Sequence, residues 1–414
     1  MSHPTHPRPP GRHAPRPVRA GVLCVALLAA GCATEEAPVP AGAIADAEPG
    51  GGHGYVAGAE ELPEAQLRLS YLDPAGAAHS LDLLTGETVP VGSVGPTAAL
   101  VSDGRFLFAA SDPAGELTVV DTGTWTVDHG DHTHYYRAEP RIVGTLDWAG
   151  DVRVASSERT TALFSTTTGA GVVLDREALG QGEIVETATT AAAPHDGVLL
   201  PLDDALVSTD GDRVLALDAA GEPVAGAEAP CPDVRGGATT RVGVVVSCAD
   251  GAVLATAADG QVAFESIPYP VPVDPAERAT SFAQRPGRPV VAAPAGERGV
   301  WLLDTRARSW QLVETATPVV RAVAADDEQD RVVGLDAAGR VVVIEPATGA
   351  TAVTDVLVDP AELADVTVEV DADRTYVNVP SAGVVHEVDH VDGARIARTF
   401  DTVVPPAFFA ETGR

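Results

Sequence analysis

The sequence predicts an all-β protein, and more specifically a single β-propeller. Three observations support this prediction. Amphipathic helical periodicity is nearly absent from the chain, and short Val, Leu and Ala runs alternate instead with Gly, Asp and Pro turns. A strand–turn phrase also returns at a regular step, which is the signature of a repeat architecture.

The repeated phrase is a short apolar strand that ends in a turn, usually with Asp or Thr before a glycine. It occurs eight times, at residues 79–86, 117–123, 163–169, 214–221, 253–260, 300–306, 341–349 and 385–393. The mean step is about 44 residues, the length of a four-stranded propeller blade. We therefore expect eight blades. Seven is the alternative if one phrase is a false match, or if the first and last phrases complete one blade.

The first 54 residues differ in composition from the rest and predict two segments ahead of the propeller. Residues 1–31 combine four arginines with a short apolar run, as in a secretory signal peptide. The run ends in LAAGC, which resembles a bacterial lipobox whose cysteine, Cys32, becomes lipidated. Residues 32–54 are rich in Ala, Pro, Gly and Glu and predict a flexible tether, so that the propeller occupies 55–414. An ordinary signal peptide that happens to contain a cysteine is the alternative.

These segments predict a location and a redox environment. A lipidated Cys32 would anchor the protein on the extracytoplasmic face of the cell membrane. In that oxidising compartment we expect the remaining pair, Cys231 and Cys248, to form a disulfide. A thiolate metal site is the alternative. The formal net charge of −32 excludes nucleic acid as a partner, because such a surface repels phosphates.

Residues 128–134, with the sequence DHGDHTH, are the strongest candidate for a functional site. They hold three of the eleven histidines of the chain, His129, His132 and His134, with two carboxylates between and beside them. Alternate residues of an extended chain share a face, so His132 and His134 can point the same way. Neutral imidazoles beside a carboxylate suit Zn²⁺, and less selectively Cu²⁺ or Ni²⁺. A solvated polar loop is the competing interpretation.

The repeat register suggests further ligands for this site. It places residues 128–140 in a crossing from the outer strand of one blade to the inner strand of the next. Residues 194–197 and 231–237 would then be equivalent crossings on the same face of the disc. Asp131 is a candidate fourth ligand or an acceptor for a ring N–H, with Asp128 a weaker candidate. His195 could complete the shell from the neighbouring crossing.

Residues 128–137, DHGDHTHYYR, resemble the signature of the AztD family of exported zinc metallochaperones. Weaker similarity occurs at residues 53–61, 231–238, 243–251 and 411–414. The resemblance implies a β-propeller that binds zinc and passes it to the solute-binding protein of a zinc ABC transporter. The resemblance implies that His129, His132 and His134 are the zinc ligands. Arg235 stands where the family is expected to have a histidine, so no additional metal site is carried over.

The resemblance leads us to expect a non-enzymatic monomer with zinc as its cargo. The first alternative is a metal-dependent propeller hydrolase of the lactonase kind, but such sites usually hold Ca²⁺ in oxygen ligands. The sequence also shows no nucleophile paired with a histidine. The second alternative is a protein-interaction propeller, which would bind no metal tightly.

Overall fold

The computed structural model describes residues 54–111, 115–128 and 132–414. In these residues strands predominate, and they form eight blade-like antiparallel sheets and one additional three-stranded sheet. The predicted all-β propeller is therefore confirmed, and the number of blades in the described residues is eight. The described residues contain no helix that is both long enough and apolar enough to cross a membrane.

The strands of each blade follow one another from the innermost to the outermost. Blade 1 consists of β34 (Phe408–Thr412), β2 (Arg68–Leu72), β3 (Ala77–Asp82) and β4 (Thr88–Ser93). Blade 2 consists of β5 (Ala99–Ser102), β6 (Phe106–Ser111), β7 (Glu116–Asp121) and β10 (Arg141–Asp147). Blade 3 consists of β11 (Arg153–Ser156), β12 (Thr160–Phe164), β13 (Ala170–Asp175) and β14 (Glu186–Ala191). Blade 4 consists of β15 (Leu199–Leu202), β16 (Ala205–Asp210), β17 (Arg213–Leu217) and β18 (Pro223–Pro230).

The remaining blades follow the same order. Blade 5 consists of β19 (Gly237–Thr239), β20 (Val244–Cys248), β21 (Gly251–Ala258) and β22 (Gln261–Pro268). Blade 6 consists of β23 (Val290–Pro294), β24 (Gly299–Asp304) and β25 (Ser309–Glu314). Blade 7 consists of β26 (Val319–Ala324), β27 (Val332–Asp336), β28 (Val341–Glu345) and β29 (Ala350–Val353). Blade 8 consists of β30 (Val368–Val370), β31 (Arg374–Val379), β32 (Val384–Asp389) and β33 (Arg395–Asp401).

Helical structure is confined to connections between strands. One α-helix, α1 (Arg176–Gln181), begins at Asp175, whose side chain accepts a hydrogen bond from the Ala178 N–H. Three short 3₁₀ segments lie at Pro275–Glu277, Pro360–Asp365 and Pro380–Ala382. Each carries a proline in its first turn, where the missing N–H costs no hydrogen bond.

Blade 1 closes the ring with strands from distant parts of the sequence. Its innermost strand, β34, pairs antiparallel with β2, with Arg68 opposite Thr412 and Leu72 opposite Phe408. Blade 6 departs from the four-stranded pattern at its inner edge. There the innermost position is held by a single bridge between Ala283 and Ala292, rather than by a continuous strand.

The core consists of apolar layers between neighbouring blades. The layer between blades 7 and 8 is built mainly of valines, whose branched side chains suit the pleated surface. The layer between blades 5 and 6 contains three large aromatic side chains, Trp301, Trp310 and Tyr269, whose rings pack at 4.5–5.8 Å between centroids. Packing between sheets therefore fixes the positions of the turns that carry polar residues.

Strand direction divides the connections between two faces of the disc. Because neighbouring strands in each blade run antiparallel, turns from the first to the second strand and from the third to the fourth lie at one end. We call this end the turn face. Turns from the second to the third strand, and the crossings to the next blade, lie at the other end. We call it the crossing face.

Candidate metal centre

The histidine motif lies in a hairpin inserted into blade 2. Strands β8 (Thr124–Asp128) and β9 (Thr133–Arg137) pair with each other, and β1 (Glu60–Leu62) adds to the free edge of β9. The chain then returns to blade 2, where β10 pairs with β7 as the outermost strand. We call β1, β8 and β9 together the histidine hairpin.

This arrangement corrects the register expected from the sequence. Residues 128–140 were predicted to cross to the next blade, with residues from 141 onward as its inner strand. They do not, because β10 belongs to blade 2 and the inner strand of blade 3 is β11. The histidine hairpin is an insertion in a third-to-fourth connection and therefore leaves the turn face. Residues 194–197 and 231–237 are true crossings on the crossing face, so the prediction of one shared face was wrong.

The structure accordingly does not bring His195 to the histidine hairpin. Its Nδ1 lies 2.8 Å from the carbonyl oxygen of Ala193, and its Nε2 lies 2.8 Å from Oγ1 of Thr209. Both ring nitrogens are thus engaged with groups of the crossing itself. These contacts give His195 a structural role, since they attach the crossing that leads into blade 4 to Thr209 of β16.

Aromatic and hydrogen-bond contacts fix the base of the histidine hairpin. The ring of Trp125 stacks on Tyr136 at 5.3 Å, and the guanidinium of Arg105 lies 3.7 Å from the centroid of Trp125 on its ring face. The Trp125 indole N–H donates to the carbonyl oxygen of Gly54 at 3.0 Å. Thr126 Oγ1 donates to the carbonyl oxygen of Gly413 at 2.8 Å. These contacts orient the strands that carry the histidines.

Gly123 permits the chain to enter the insertion. Its φ is +77°, and a Cβ there would collide with the backbone of Ala138 and Pro140. The Ala138 N–H donates to the Gly123 carbonyl at 2.6 Å, which closes the hairpin where it meets blade 2. A residue with a side chain would be strained at this position.

His132 and His134 are brought together at the far end of the hairpin. Their ring centroids lie 4.9 Å apart with an interplanar angle of 78°. Two imidazoles that bind one tetrahedral Zn²⁺ through nitrogens about 2.0–2.1 Å from the metal place their ring centres about 5 Å apart. The observed spacing therefore fits two ligands of a single ion. His132 is exposed and His134 half-buried, so the pair is accessible from solvent.

Glu61 is a site residue that sequence reasoning missed. Its Oε1 lies 2.7 Å from Nδ1 of His134, across the pairing of β1 with β9. A carboxylate in this position accepts the Nδ1–H and fixes the tautomer in which Nε2 is the nitrogen that can bind a metal. The contact joins residues 73 positions apart, and no local spacing could have revealed it.

Tyr136 supports the pair from beneath. It is fully buried, and its ring stacks with His134 at 6.1 Å. Burial, and then the negative charge of Glu61, raise the pKa of Tyr136 above its usual value. The phenol therefore stays protonated at neutral pH, so its role is to pack the histidine rather than to bind a cation.

Other candidate residues are only partly described. His129, Asp131 and Cys32 lie outside the described residues, and Asp128 is the exposed last residue of β8. Within residues 54–111, 115–128 and 132–414, no group of three His, Cys, Asp or Glu side chains is arranged to hold a metal ion. The described part of the motif is thus a two-histidine arrangement with a carboxylate beside one ring.

The predicted disulfide is confirmed. Cys231, at the start of the crossing from blade 4, is bonded to Cys248 at the end of β20, with their Cα atoms 5.0 Å apart. Both residues are buried in the layer between blades 4 and 5. In the same crossing, Arg235 forms an ion pair with Asp233 at 2.9 Å.

Comparison with known proteins gives one curated relative. The chain is 25% identical over 258 residues to the zinc chaperone AztD of Citrobacter koseri. The matched region covers 59% of this chain and 60% of that protein, so the chain spans about 60% of the length of its curated relative. No family model matches the chain.

Solved structures extend the similarity in fold. A crystal structure of Citrobacter koseri AztD superposes with a TM-score of 0.71 at 19% identity, covering 84% of this chain and 98% of that one. The apo form of the same protein gives a TM-score of 0.72 at 18% identity with the same coverage. The dihydro-heme d1 dehydrogenase NirN is more distant, with a TM-score of 0.53 at 16% identity over 84% of this chain and 76% of that chain. The predicted resemblance to the AztD family is confirmed by the sequence match and by the fold.

Proposed function

We propose that this chain, AztD-like in sequence and in fold, is an extracytoplasmic zinc-binding metallochaperone. In this proposal it passes Zn²⁺ to the solute-binding protein of a zinc ABC transporter. The observation that carries the proposal is the pairing of His132 and His134 at 4.9 Å on an accessible hairpin, with Glu61 against one ring. The sequence match to a zinc chaperone supports the same function.

The ligand set that we propose centres on the motif. His132 and His134 supply two nitrogens, and His129 and Asp131, which lie outside the described residues, complete the proposed shell. Asp128, the last residue of β8, is a weaker candidate for a carboxylate ligand. We leave His195 out of the set, because its two ring nitrogens are engaged with Ala193 and Thr209 on the crossing face.

The hairpin suits transfer because its base is fixed while its end is accessible. The stack of Arg105, Trp125 and Tyr136 fixes the strands, whereas His132 is exposed. Ligands of an acceptor protein can therefore approach the ion before all ligands of the donor have left. Net transfer requires tighter binding by the acceptor, and a difference of about 1.4 kcal/mol biases the exchange tenfold.

The proposal includes a location and an assembly state. Lipidation of Cys32 would hold a monomer at the outer face of the membrane, beside the transporter that it serves. We propose that the chain carries zinc without catalysing a reaction, and the support for this is its similarity to a protein named as a zinc chaperone.

Zinc binding is tested by calorimetry on the full chain. We expect one tight Zn²⁺ per chain in the wild type and none in the variant His132→Ala/His134→Ala. The matched control is His386→Ala, which removes a histidine from β32, where it contacts Thr399. Unchanged zinc affinity in the double variant would remove the site. Absence of tight zinc binding in the wild type would favour an interaction propeller.

Transfer is tested separately from binding. The zinc-loaded chain is mixed with the apo form of a zinc solute-binding protein, and the rate of zinc movement is compared with the rate of its release to a chelator. A chaperone transfers zinc faster than it dissociates. Equal rates would identify a zinc store instead and would refute the proposed transfer.

A further inference from the structure

Arginine is the only basic residue in this chain besides histidine, and most arginines of the propeller form an ion pair. Residues 54–414 contain 23 arginines. Eighteen of them lie within 4.0 Å of a carboxylate. Such pairing is expected in a protein that is strongly acidic overall. The exceptions are therefore the arginines that have no carboxylate within 4.0 Å in the described residues.

Four of the five exceptions are neighbours in space. The guanidinium group of Arg321 donates hydrogen bonds to backbone carbonyl oxygens, including that of Val320 at 3.0 Å. For the other four, the described residues provide neither an ion pair nor a side-chain hydrogen bond. We call these four the arginine patch, which consists of Arg241, Arg285, Arg288 and Arg306.

Hydrogen bonds hold the three turns of the patch together. Oγ1 of Thr240 lies 3.3 Å from Oγ1 of Thr305, and Thr305 Oγ1 donates to the carbonyl oxygen of Pro289 at 2.6 Å. All three residues are buried. Each is the direct chain neighbour of a patch arginine, namely Arg241, Arg306 and Arg288. The buried contacts therefore gather three guanidinium-bearing residues at one place.

Topology places the arginine patch on the turn face. Residues 240–243 connect the first and second strands of blade 5, and residues 285–289 precede β23 of blade 6. Residues 305–308 connect β24 and β25, the third and fourth positions of blade 6. The histidine hairpin leaves the same face from blade 2. In an eight-bladed ring these blades lie across the channel from each other.

Several carboxylates lie near the arginine patch without forming an ion pair with its arginines. Burial raises the pKa of Asp326 above its usual value. Three positive charges oppose this shift, those of Arg288, Arg285 and Arg306. None of the three is within ion-pair distance of Asp326. Asp330 also acts on Asp326, and Asp326, Asp327 and Asp371 act on Arg285, but in the described residues none of these carboxylates lies within ion-pair distance of a patch arginine. The guanidinium N–H groups of the patch are therefore left without a carboxylate partner in the described part of the chain.

We propose that the arginine patch is a docking site for an acidic segment of a partner protein. A guanidinium group binds carboxylates in a bidentate geometry, and the exposed Arg241 and Arg306 are free to do so. A short acidic segment meets only the patch, whereas an anionic membrane would meet the whole acidic protein and be repelled. A partner bound here would face the histidine hairpin across the channel mouth. The inference requires no metal, since the patch contains no zinc ligand.

The test measures binding of a fluorescent decapeptide of alternating Asp and Glu to the full chain. The variant is Arg285→Gln/Arg288→Gln/Arg306→Gln. The control has the same change in charge but removes paired, exposed arginines, as Arg159→Gln/Arg213→Gln/Arg395→Gln. Circular dichroism checks that both variants keep the β fold. We expect saturable binding by the wild type, a rise in Kd of at least tenfold in the patch variant, and less than twofold in the control.

Changes of salt, metal and binding partner distinguish a local docking site from a diffuse charge effect and from a membrane surface. The difference between the variants should shrink at 0.3 M salt, because exposed charges are screened. The difference in Kd between the two variants should be the same in the presence of a metal chelator. The test therefore remains valid even if the chain does not bind zinc. Equal weakening in both variants would overturn the proposal by showing a diffuse charge effect. Binding to phosphatidylglycerol vesicles without binding to the peptide would overturn it in favour of a membrane surface.

Discussion

Replacement of Glu61 by Gln should weaken zinc binding at the histidine hairpin without altering the fold. Glu61 Oε1 lies 2.7 Å from His134 Nδ1, on a strand that contributes only three residues to the hairpin. A carboxylate that accepts the Nδ1–H orients the ring and increases the basicity of Nε2. The amide of Gln is a weaker acceptor and carries no charge, so both effects diminish.

The expected magnitude follows from the exposure of the pair. Loss of a carboxylate behind a metal-binding imidazole costs about 10–100-fold in metal affinity. The side chain of Glu61 is 55% exposed and that of His134 24% exposed, so water screens much of the interaction. We therefore expect the lower end of the range, a rise in Kd of about tenfold, equivalent to about 1.4 kcal/mol.

Glu60→Gln provides a matched control on the same strand. Glu60 is 63% exposed and pairs with Arg137 at 3.0 Å, so its replacement changes the net charge equally without touching a histidine. Zinc affinity is measured by competition with a chromophoric chelator at pH 7.5. Equal affinities of the Glu61→Gln and Glu60→Gln variants would refute the argument that the contact with His134 matters.

Three further predictions concern stability and the crossings. Replacement of both cysteines, Cys231→Ala/Cys248→Ala, should cost about 3 kcal/mol in urea unfolding, since the disulfide closes 17 residues; a loss below about 1 kcal/mol would contradict this. Burial raises the pKa of Glu411 to about 8 from 4.5. The folded state therefore keeps this proton to higher pH, and stability falls by up to about 1.4 kcal/mol per unit between pH 4.5 and 8. Glu411→Gln should match the wild type at pH 4.5 and exceed it at pH 8.5, whereas parallel profiles would exclude this cause. His195→Ala should leave zinc affinity unchanged and lower the urea midpoint, because it breaks the contact with Thr209; a loss of zinc binding would return His195 to the ligand set.

The number of blades could be predicted because each blade repeats the same local chemistry. Six of the eight phrases join the third and fourth positions of a blade directly, where a strand must reverse at the turn face, and the phrase at 117–123 leads from the third strand of blade 2 into the inserted histidine hairpin. The phrase at 163–169 instead joins β12 and β13, the second and third strands of blade 3. Blade 3 nevertheless contains one copy of the phrase, so the number of phrases still equals the number of blades.

The histidine hairpin could not be placed from sequence because its partners are remote. Thr124–Asp128 has the pattern of a strand and is one, but periodicity does not reveal which strand it pairs with. It pairs with β9, while β10 takes the outer edge of blade 2. The proximity of the His132 and His134 rings follows from their spacing of two residues, which is a local property visible in the sequence. Glu61 was missed because it reaches His134 only through the pairing of β1 with β9.

The closing strand of the ring is also a support of the histidine hairpin. Gly413 follows β34, donates its N–H to the Gly104 carbonyl, and accepts a hydrogen bond from Thr126 in β8. The hairpin gains this support only after β34 has paired with β2 and closed the ring. That pairing requires strands some 340 residues apart to meet. Zinc bound at the hairpin would in turn stabilise the pairing of β34 with β2, because a ligand that binds only the closed ring favours that state. If the chain binds zinc as proposed, ring assembly and zinc binding would be coupled: an unfinished propeller would lack a properly held site, and a zinc-loaded one would resist opening.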